Sequence, residues 1–368
     1  MSILKFVAVG AMALLAANAA FAQPLPSGPV RVIYDTDMWD DIDDVLALAM
    51  LHTLRDRGEV NILAITSSTE DKWCAPFIDA LDTYYGHANI PIGSVKKGVR
   101  GTDVRPSRGV NYTQYISELR KPNGAVAYPH ALKDGAKAME AVALLRKTLA
   151  AQPDGSVVMI QVGFSTNLAN LLDSTSDAVS PLTGMQLVER KVRLLSTMAG
   201  DFREFDVQGE KVISDRPEFN VRLDIPSAQK VFDKWPTPIV ASGFEIGVRM
   251  LFKGENIERD FSYARDHLVA ATYRYSDPVY RSKNTPLHQL HDHGTMDLTS
   301  VLYAVRPDDG YFSLSPAGTI TILPDGLSRF EAQVDGTRRY LVMNNEQRAK
   351  ALEVMSLLVT QPPVSKRR

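Results

Sequence analysis

A dense run of carboxylates stands near the start of the chain. Six acids fall within ten residues, Asp35-Thr36-Asp37-Met38-Trp39-Asp40-Asp41-Ile42-Asp43-Asp44. Carboxylates this close repel one another, so a stable cluster requires a counter-cation. Hard oxygen donors select calcium or magnesium over softer metals. An acid-rich helix start would account for Asp43 and Asp44 but less well for Asp35 and Asp37, which follow an apolar run. The pattern therefore favours a metal site, and Leu46 in place of a bidentate glutamate excludes an EF-hand.

The elements around this run predict where it lies. The apolar run 30–34 is typical of a buried strand, apolar positions recur at helical spacing over 43–54, and a second apolar run covers 60–66. Strand, helix and strand in this order predict a parallel βαβ unit, and further alternation along the chain extends it. The predicted fold is α/β, a largely parallel, open, Rossmann-type sheet flanked by helices. Open parallel sheets bind ligands at the carboxyl ends of their strands, where the acidic run would fall.

Two regions interrupt the alternation. Residues 97–129 are rich in Gly, Pro, Arg and Ser, which is typical of a mobile flap over a site and equally of a surface insertion. Residues 306–342 contain short β-like runs with turn signals at Asp325-Gly326 and Asp335-Gly336, which predict a β-hairpin region before a closing helix over 345–359. No internal repeat or low-complexity linker is present, so residues 23–368 are expected to form one domain.

Composition narrows the classes of partner. The chain has 368 residues, 41 Lys+Arg and 43 Asp+Glu, so it carries no net positive charge that would attract nucleic acid.

Residues 1–22 are predicted to be a signal peptide, with Lys5, an apolar stretch to Ala20 and cleavage after Ala22. The apolar stretch is shorter than the roughly 20 residues needed to span a bilayer. The sequence therefore predicts a periplasmic or secreted protein without stable membrane insertion, and Cys74 alone allows no intramolecular disulfide.

Four motifs in order resemble the nucleoside hydrolase family. The acidic run is similar to the family's Asp-x-Asp pair after the first strand, followed by a paired Asp opening the first helix. The other three are Val162-Gly163-Phe164-Ser165-Thr166-Asn167-Leu168-Ala169, Pro217-Glu218-Phe219-Asn220-Val221-Arg222-Leu223-Asp224 and Thr295-Met296-Asp297-Leu298-Thr299-Ser300-Val301-Leu302. The resemblance covers most of the chain after residue 22 and is carried by the joint order of the motifs.

The resemblance implies a calcium-dependent hydrolase that splits the N-glycosidic bond of ribonucleosides into ribose and base. By this likeness Asp37 would ligate Ca²⁺ and act as general base on a metal-activated water. The remaining ligands would be Asp44, Asp297 and the backbone carbonyl of Val162. The implied ribose contacts are the side chains of Asp43, Glu218 and Asn220. The expected partner is a small ribonucleoside or related riboside, and the likeness makes a homo-oligomer plausible.

Simpler interpretations stand beside these assignments. Glu218 could be a surface carboxylate paired with Arg216 or Arg222, and Asn220 a turn residue. Asp297 could cap its helix. Only the order of the motifs favours the functional roles.

The chain departs from the family pattern in two places. The spacing between Asp37 and the paired acids is longer than in the shorter form of the family, so Asp40 and Asp41 are additional and Asp41 is a further site candidate. Met296 stands where many members place a histidine that protonates the leaving base. His288, His291 and His293 lie just upstream, and one of them could supply the acid, with His291 and His293 as the candidates. Alternatively, these histidines form a loop that binds a transition metal or is only solvated. The base would then be held by stacking on aromatic side chains, or the substrate would be something other than a common nucleoside; the aromatic candidates are Trp39, Trp73, Tyr112 and Tyr115.

Two other functions compete with the hydrolase. Asp35-Thr36-Asp37 also resembles the haloacid dehalogenase phosphatases, with Asp35 as nucleophile and Mg²⁺ as the ion. Met38 and the additional carboxylates fit that chemistry poorly. The second alternative is an exported riboside-binding or sugar-binding protein that keeps the fold and Ca²⁺ with little turnover, for which Met296 is the main support.

Overall fold

A computed structural model describes residues 28–39, 41–104, 111–207, 210–264, 266–277 and 290–364. The predicted signal peptide, Asp40, part of the predicted flap and His288 lie outside the described residues.

The strands alternate with helices over most of the chain, as the sequence predicts. The described strands are β1 Val30–Thr36, β2 Val60–Glu70, β3 Ile92–Arg100, β4 Met139–Glu140, β5 Val157–Gln161, β6 Val192–Met198, β7 Glu204–Val207, β8 Glu210–Ile213, β9 Ile239–Ser242, β10 Leu251–Phe252, β11 His293–Gly294, β12 Ser313–Leu314, β13 Gly318–Ile322, β14 Ser328–Ala332 and β15 Arg338–Val342. The described α-helices are α1 Asp43–Asp56, α2 Cys74–Tyr85, α3 Gly101–Val104, α4 Tyr112–Glu118, α5 Ala141–Ala150, α6 Thr166–Asp173, α7 Gly184–Lys191, α8 Phe219–Leu223, α9 Ile225–Lys234, α10 Phe244–Gly247, α11 Gly254–Arg259, α12 Leu268–Ser276, α13 Met296–Val305 and α14 Asn345–Thr360.

The main sheet has the strand order β14-β13-β15-β9-β6-β5-β1-β2-β3-β4, with β12 added on β15. All pairs from β15–β9 to β3–β4 are parallel, whereas β13 pairs antiparallel with β14 and β15. The predicted largely parallel open sheet is thus confirmed. The antiparallel β13–β14 hairpin turns at Gly326, whose φ of 86° is in the left-handed region that glycine adopts without a side-chain penalty.

Helices cover both faces of the sheet and bury two hydrophobic cores. Helix α1 lies in the larger core with α13 and α14 packed against it, and every residue from Asp43 to Leu54 is buried. The second core lies under α5, α6, α7 and α9. Burial on all sides explains why α1 is rich in Leu, Ala and Val, since each large apolar side chain removed from water contributes about 1.5–3 kcal/mol. The α1 N-terminus, with its two acids, is thereby fixed against the sheet.

One predicted helix begins later than its pattern suggests. The sequence favours a helix over 136–150, but residues 135–137 form a 3₁₀ turn, Met139–Glu140 pairs with β3, and the α-helix starts at Ala141. Glu140 determines the start because its carboxylate accepts the backbone N–H of Ala143 at 2.8 Å. Among the described residues, none of the helices combines the length and apolarity needed to cross a bilayer.

Candidate active site

A cavity of about 230 Å³ opens at the carboxyl ends of the central strands. The loops after β1, β5 and β6 meet the N-termini of α1, α8 and α13 there. Its walls combine five aspartates and one glutamate with apolar side chains. The lining residues are Asp37, Trp39, Asp41, Asp43, Asp44, Val162, Met198, Glu218, Phe219, Asn220, Phe244, Met296 and Asp297. Every residue to which the sequence assigned metal or ribose binding therefore borders one cavity.

Asp35 supports the site from beneath. Its carboxylate accepts hydrogen bonds from Thr66 Oγ1 at 2.5 Å and from Asn167 Nδ2 at 2.7 Å, and burial raises its pKa to about 7. These bonds join β1, β2 and the N-terminus of α6. Asp35 is therefore a structural tie between three elements, and Asn167 of the second motif is its partner.

The loop after β1 turns the next acids into the cavity. Thr69 Oγ1 donates to the backbone carbonyl of Asp37 at 2.8 Å, and Thr36 Oγ1 donates to the Asp44 carboxylate. Gly163 allows the β5 loop to approach closely, because a Cβ there would lie 2.4 Å from the backbone nitrogen of Asp37. These contacts fix the Asp37 backbone and the Asp44 carboxylate.

Four carboxylates form the acidic centre of the cavity, contributed by Asp37, Asp43, Asp44 and Asp297. The carboxylate oxygens of the last three lie within 4.8 Å of one another, and the Asp297 N–H approaches Asp43 Oδ2 at 3.4 Å. Burial, followed by the charge of Asp41, raises the pKa of Asp43 to about 7. Burial and neighbouring acids also raise the pKa values of Asp37, Asp44 and Asp297. A cation bound among these carboxylates would offset this destabilisation of their charged forms.

Glu218 and Asn220 form the opposite wall at the start of α8. Glu218 is buried, and its carboxylate accepts the backbone N–H groups of Asn220 at 2.8 Å and Val221 at 3.1 Å, which caps the helix. The Asn220 amide donates to the carbonyls of Val162 at 2.9 Å and Met198 at 3.3 Å. Burial raises the pKa of Glu218 to about 7. This burial contradicts the interpretation of Glu218 as a surface carboxylate.

An apolar wall completes the cavity. Trp39, one of the four aromatic candidates, lines it, and its indole N–H donates to Asp71 at 3.3 Å. Phe219, Phe244 and Met198 also line it, and no sequence pattern assigned them a role. Phe244 begins a helix of four residues just after β9. The one sequence signal for a role in the site is its position after a predicted strand.

The remaining aromatic candidates lie elsewhere. Trp73 and Tyr115 are not among the cavity-lining residues, and Tyr115 stacks on Tyr275 at 3.8 Å. Tyr112 is buried and donates its hydroxyl to the Asp41 carbonyl at 3.0 Å. The predicted flap segment therefore contacts the acidic loop through Tyr112, while its role as a lid stays a prediction.

The two histidines expected to act on the leaving group differ in position. His293 Nε2 lies 2.8 Å from Asp41 Oδ1 at the rim of the cavity. Burial opposes protonation of His293, but the carboxylate of Asp41 outweighs burial and raises the pKa to about 10. The ring of His291 is exposed and lies beside Asp277, with Nδ1 at 3.2 Å from Oδ1. Neither histidine is among the lining residues, but the structure brings His293 into contact with Asp41, which lines the cavity, whereas His291 contacts Asp277.

The family model for inosine-uridine preferring nucleoside hydrolases matches residues 32–357. The chain belongs to this family. It is accordingly a hydrolase acting on N-glycosyl bonds. This membership removes the phosphatase alternative, in agreement with Asp35 being held by Thr66 and Asn167 outside the cavity lining.

Solved structures share the fold at low sequence identity. A plant nucleoside hydrolase has a TM-score of 0.62 and 17% identity, with coverage of 91% of this chain and 100% of that chain. The purine-preferring ribonucleoside hydrolase from Gardnerella vaginalis has a TM-score of 0.60 and 16% identity, over 90% and 99% of the two chains. The type III effector protein XopQ, solved with adenosine diphosphate ribose, has a TM-score of 0.62 and 14% identity, over 95% and 97%. No curated protein sequence matches significantly.

Proposed function

We propose that the chain is a calcium-dependent nucleoside N-ribohydrolase, which releases the free base and ribose. The observation that carries this proposal is that two groups of residues line one small cavity. The first, the calcium cage, offers oxygen ligands and consists of Asp37, Asp44, Asp297 and the Val162 carbonyl. The second offers polar side chains to a sugar and consists of Asp43, Glu218 and Asn220. At about 230 Å³, the cavity falls below the roughly 300–1,000 Å³ typical of drug-sized ligands. It is suited to a compact polar group such as ribose, with the base at the apolar rim.

The donor set fits calcium. Asp37, Asp44, Asp297 and the carbonyl of Val162 present oxygen atoms only, and burial together with the neighbouring acids raises the pKa values of the three carboxylates, so a bound cation would stabilise their charged forms. These four residues would hold the ion. Calcium bound there would supply Lewis acidity toward a water molecule.

Asp37 would take the proton from the attacking water. It is the half-buried member of the acidic centre, and the Thr69 hydroxyl holds its carbonyl at 2.8 Å. General bases contribute about 10²–10⁴-fold to such reactions. The carboxylates around it also favour the positive charge that develops on the sugar as the glycosidic bond breaks.

The ribose hydroxyls would be bound by Asp43, Glu218 and Asn220. Backbone N–H groups and carbonyls fix the Glu218 carboxylate and the Asn220 amide, so little conformational freedom is lost when substrate binds. Trp39, Phe244 and Met296 would face the base. Proton donation by His291 or His293 stays a prediction, as do export directed by residues 1–22 and assembly into a homo-oligomer.

The test is a base-release assay on the chain from residue 23 onward. A panel of purine and pyrimidine ribonucleosides is used with Ca²⁺ and with chelator, for wild type, Asp37→Ala and the exposed-site control Asp309→Ala. We expect chelator-sensitive release that falls by about 100-fold or more in Asp37→Ala and is unchanged in Asp309→Ala. Release that survives both chelator and Asp37→Ala would contradict the mechanism. No release together with Ca²⁺-dependent thermal stabilisation would point to a binding protein.

A further inference from the structure

A second group of potential metal ligands lies at the rim of the cavity. It consists of Asp41, Asp43 and His293, whose ligand atoms all lie within 4.8 Å of one another. Two of the three are connected with the departures from the family pattern noted in the sequence. Asp41 belongs to the additional length of the acidic loop, and His293 lies three residues before Met296, which stands in place of the family's histidine. The fold brings Asp41 and His293 together.

One ring nitrogen of His293 faces a backbone carbonyl, and the other faces Asp41. Its Nδ1 lies 3.0 Å from the carbonyl oxygen of Gly294, and its Nε2 points toward Asp41 Oδ1 at 2.8 Å. A metal-bound histidine almost always donates its other ring N–H to a carbonyl or carboxylate, which fixes the tautomer and the ring plane. The backbone of His293 is also held, since it pairs in β11 with the buried Phe252 of β10.

Asp41 is held independently of His293. The Ile42 N–H donates to Asp41 Oδ1 at 2.9 Å, and the buried Tyr112 hydroxyl donates to the Asp41 carbonyl at 3.0 Å. The carboxylate is therefore presented to the rim by contacts with α4 and with its own loop.

Asp43 connects this group to the calcium cage. It is 3% exposed, and the hydrogen bond described for its carboxylate is the one from the Asp297 N–H at 3.4 Å. The same carboxylate lies within 4.8 Å of the ligand atoms of Asp44 and Asp297. Asp43 therefore offers a buried carboxylate to this group and lies next to two of the residues proposed to hold calcium.

We propose that Asp41, Asp43 and His293 bind a second divalent cation, of the borderline class that includes Zn²⁺ and Mn²⁺. An imidazole nitrogen with two carboxylates favours such ions over Ca²⁺, which prefers oxygen ligands alone. The site takes His293 Nε2 as a ligand and lies next to the calcium cage, since Asp43 neighbours Asp44 and Asp297. In the metal-loaded protein His293 is then unable to protonate the leaving base.

Metal counting tests this proposal. The chain from residue 23 onward is freed of metal, saturated with Ca²⁺ and titrated with Zn²⁺, and both ions are quantified after equilibrium dialysis. We expect one bound Zn²⁺ in wild type with Ca²⁺ retained. Zn²⁺ affinity should fall by about 10-fold or more in His293→Ala and in Asp41→Asn, with Ca²⁺ still bound. Retained Ca²⁺ also reports that these variants are folded.

His291→Ala is the matched control, because His291 lies two residues away and outside the cavity lining. It should bind Zn²⁺ as wild type does. The proposal is overturned if wild type binds no Zn²⁺, if Zn²⁺ only displaces Ca²⁺, if His293→Ala binds Zn²⁺ normally, or if His291→Ala loses it equally. Because ion binding is measured without turnover, its failure is distinct from failure of the hydrolase proposal.

Discussion

Replacing Asp43 by Asn should stabilise the metal-free protein above neutral pH. The pKa of this carboxyl is raised from 3.8 to about 7 by burial and by Asp41. The folded state thus binds its proton more tightly than the unfolded state does. Stability contributed by the protonated carboxyl is lost as pH rises from about 4 to about 7. Asparagine has nearly the same shape and no charge, so the stability of the Asp43→Asn variant should not fall in this way as pH rises.

The magnitude follows from the size of the pKa change. A rise from 3.8 to about 7 corresponds to at most about 4 kcal/mol. For a chain of this length that is a gain of about 5 °C in Tm. The gain should be largest at pH 8 and should shrink at pH 5, where the folded wild type is already protonated at Asp43.

The assay is thermal unfolding in chelator at pH 5 and pH 8, compared between wild type, Asp43→Asn and Asp309→Asn. Asp309 is exposed, so its substitution should leave Tm within about 1 °C of wild type at both pH values, as expected for surface sites. A Tm of Asp43→Asn equal to or below that of wild type at pH 8 would refute the reasoning. An equal gain at both pH values would show that charge is not its cause.

Two further predictions concern the surroundings of the site. Gly101→Ala should raise KM for nucleosides and cost about 1–3 kcal/mol of stability, because the new Cβ would lie 2.3 Å from Trp39 Nε1. Steady-state kinetics measures the KM of this variant, with Thr102→Ala at the exposed neighbouring residue as the control. An unchanged KM in Gly101→Ala would contradict the prediction. Buried His52, bonded to Asp82 and His87 at 2.8 Å each, has its pKa lowered to about 3 by burial first and Arg55 second. As pH falls, His52 is therefore protonated in the unfolded state before it is protonated in the folded state. The free energy of unfolding should decrease below about pH 6.5, by roughly 1.4 kcal/mol per pH unit. Urea unfolding at pH 7 and pH 4.5 should show a smaller loss in His52→Gln than in wild type, and an equal loss would exclude this histidine as the cause.

The sequence by itself determined the framework of the site. Apolar periodicity located β1, α1 and β2, and the predicted closing helix over 345–359 is α14 at Asn345–Thr360. These elements are decided locally, by the spacing of apolar residues and by caps such as Asn344, which accepts the Gln347 N–H at 2.8 Å. Because the predicted sheet is parallel, the acidic run with Asp37 was expected at the carboxyl ends of its strands. The roles of Glu218 and Asp297 came instead from the resemblance of their motifs to the family.

The tertiary structure decided what each of these acids contacts. Asp35 and Asp37 are alike in the sequence, yet Thr66 and Asn167 hold Asp35 beneath the cavity while Asp37 lines it. Phe244 enters the wall from a short helix without a sequence pattern of its own. His293 reaches Asp41 from the other end of the chain. Pairings between segments far apart in the chain depend on packing, because local spacing carries no information about which distant side chain fills the facing position.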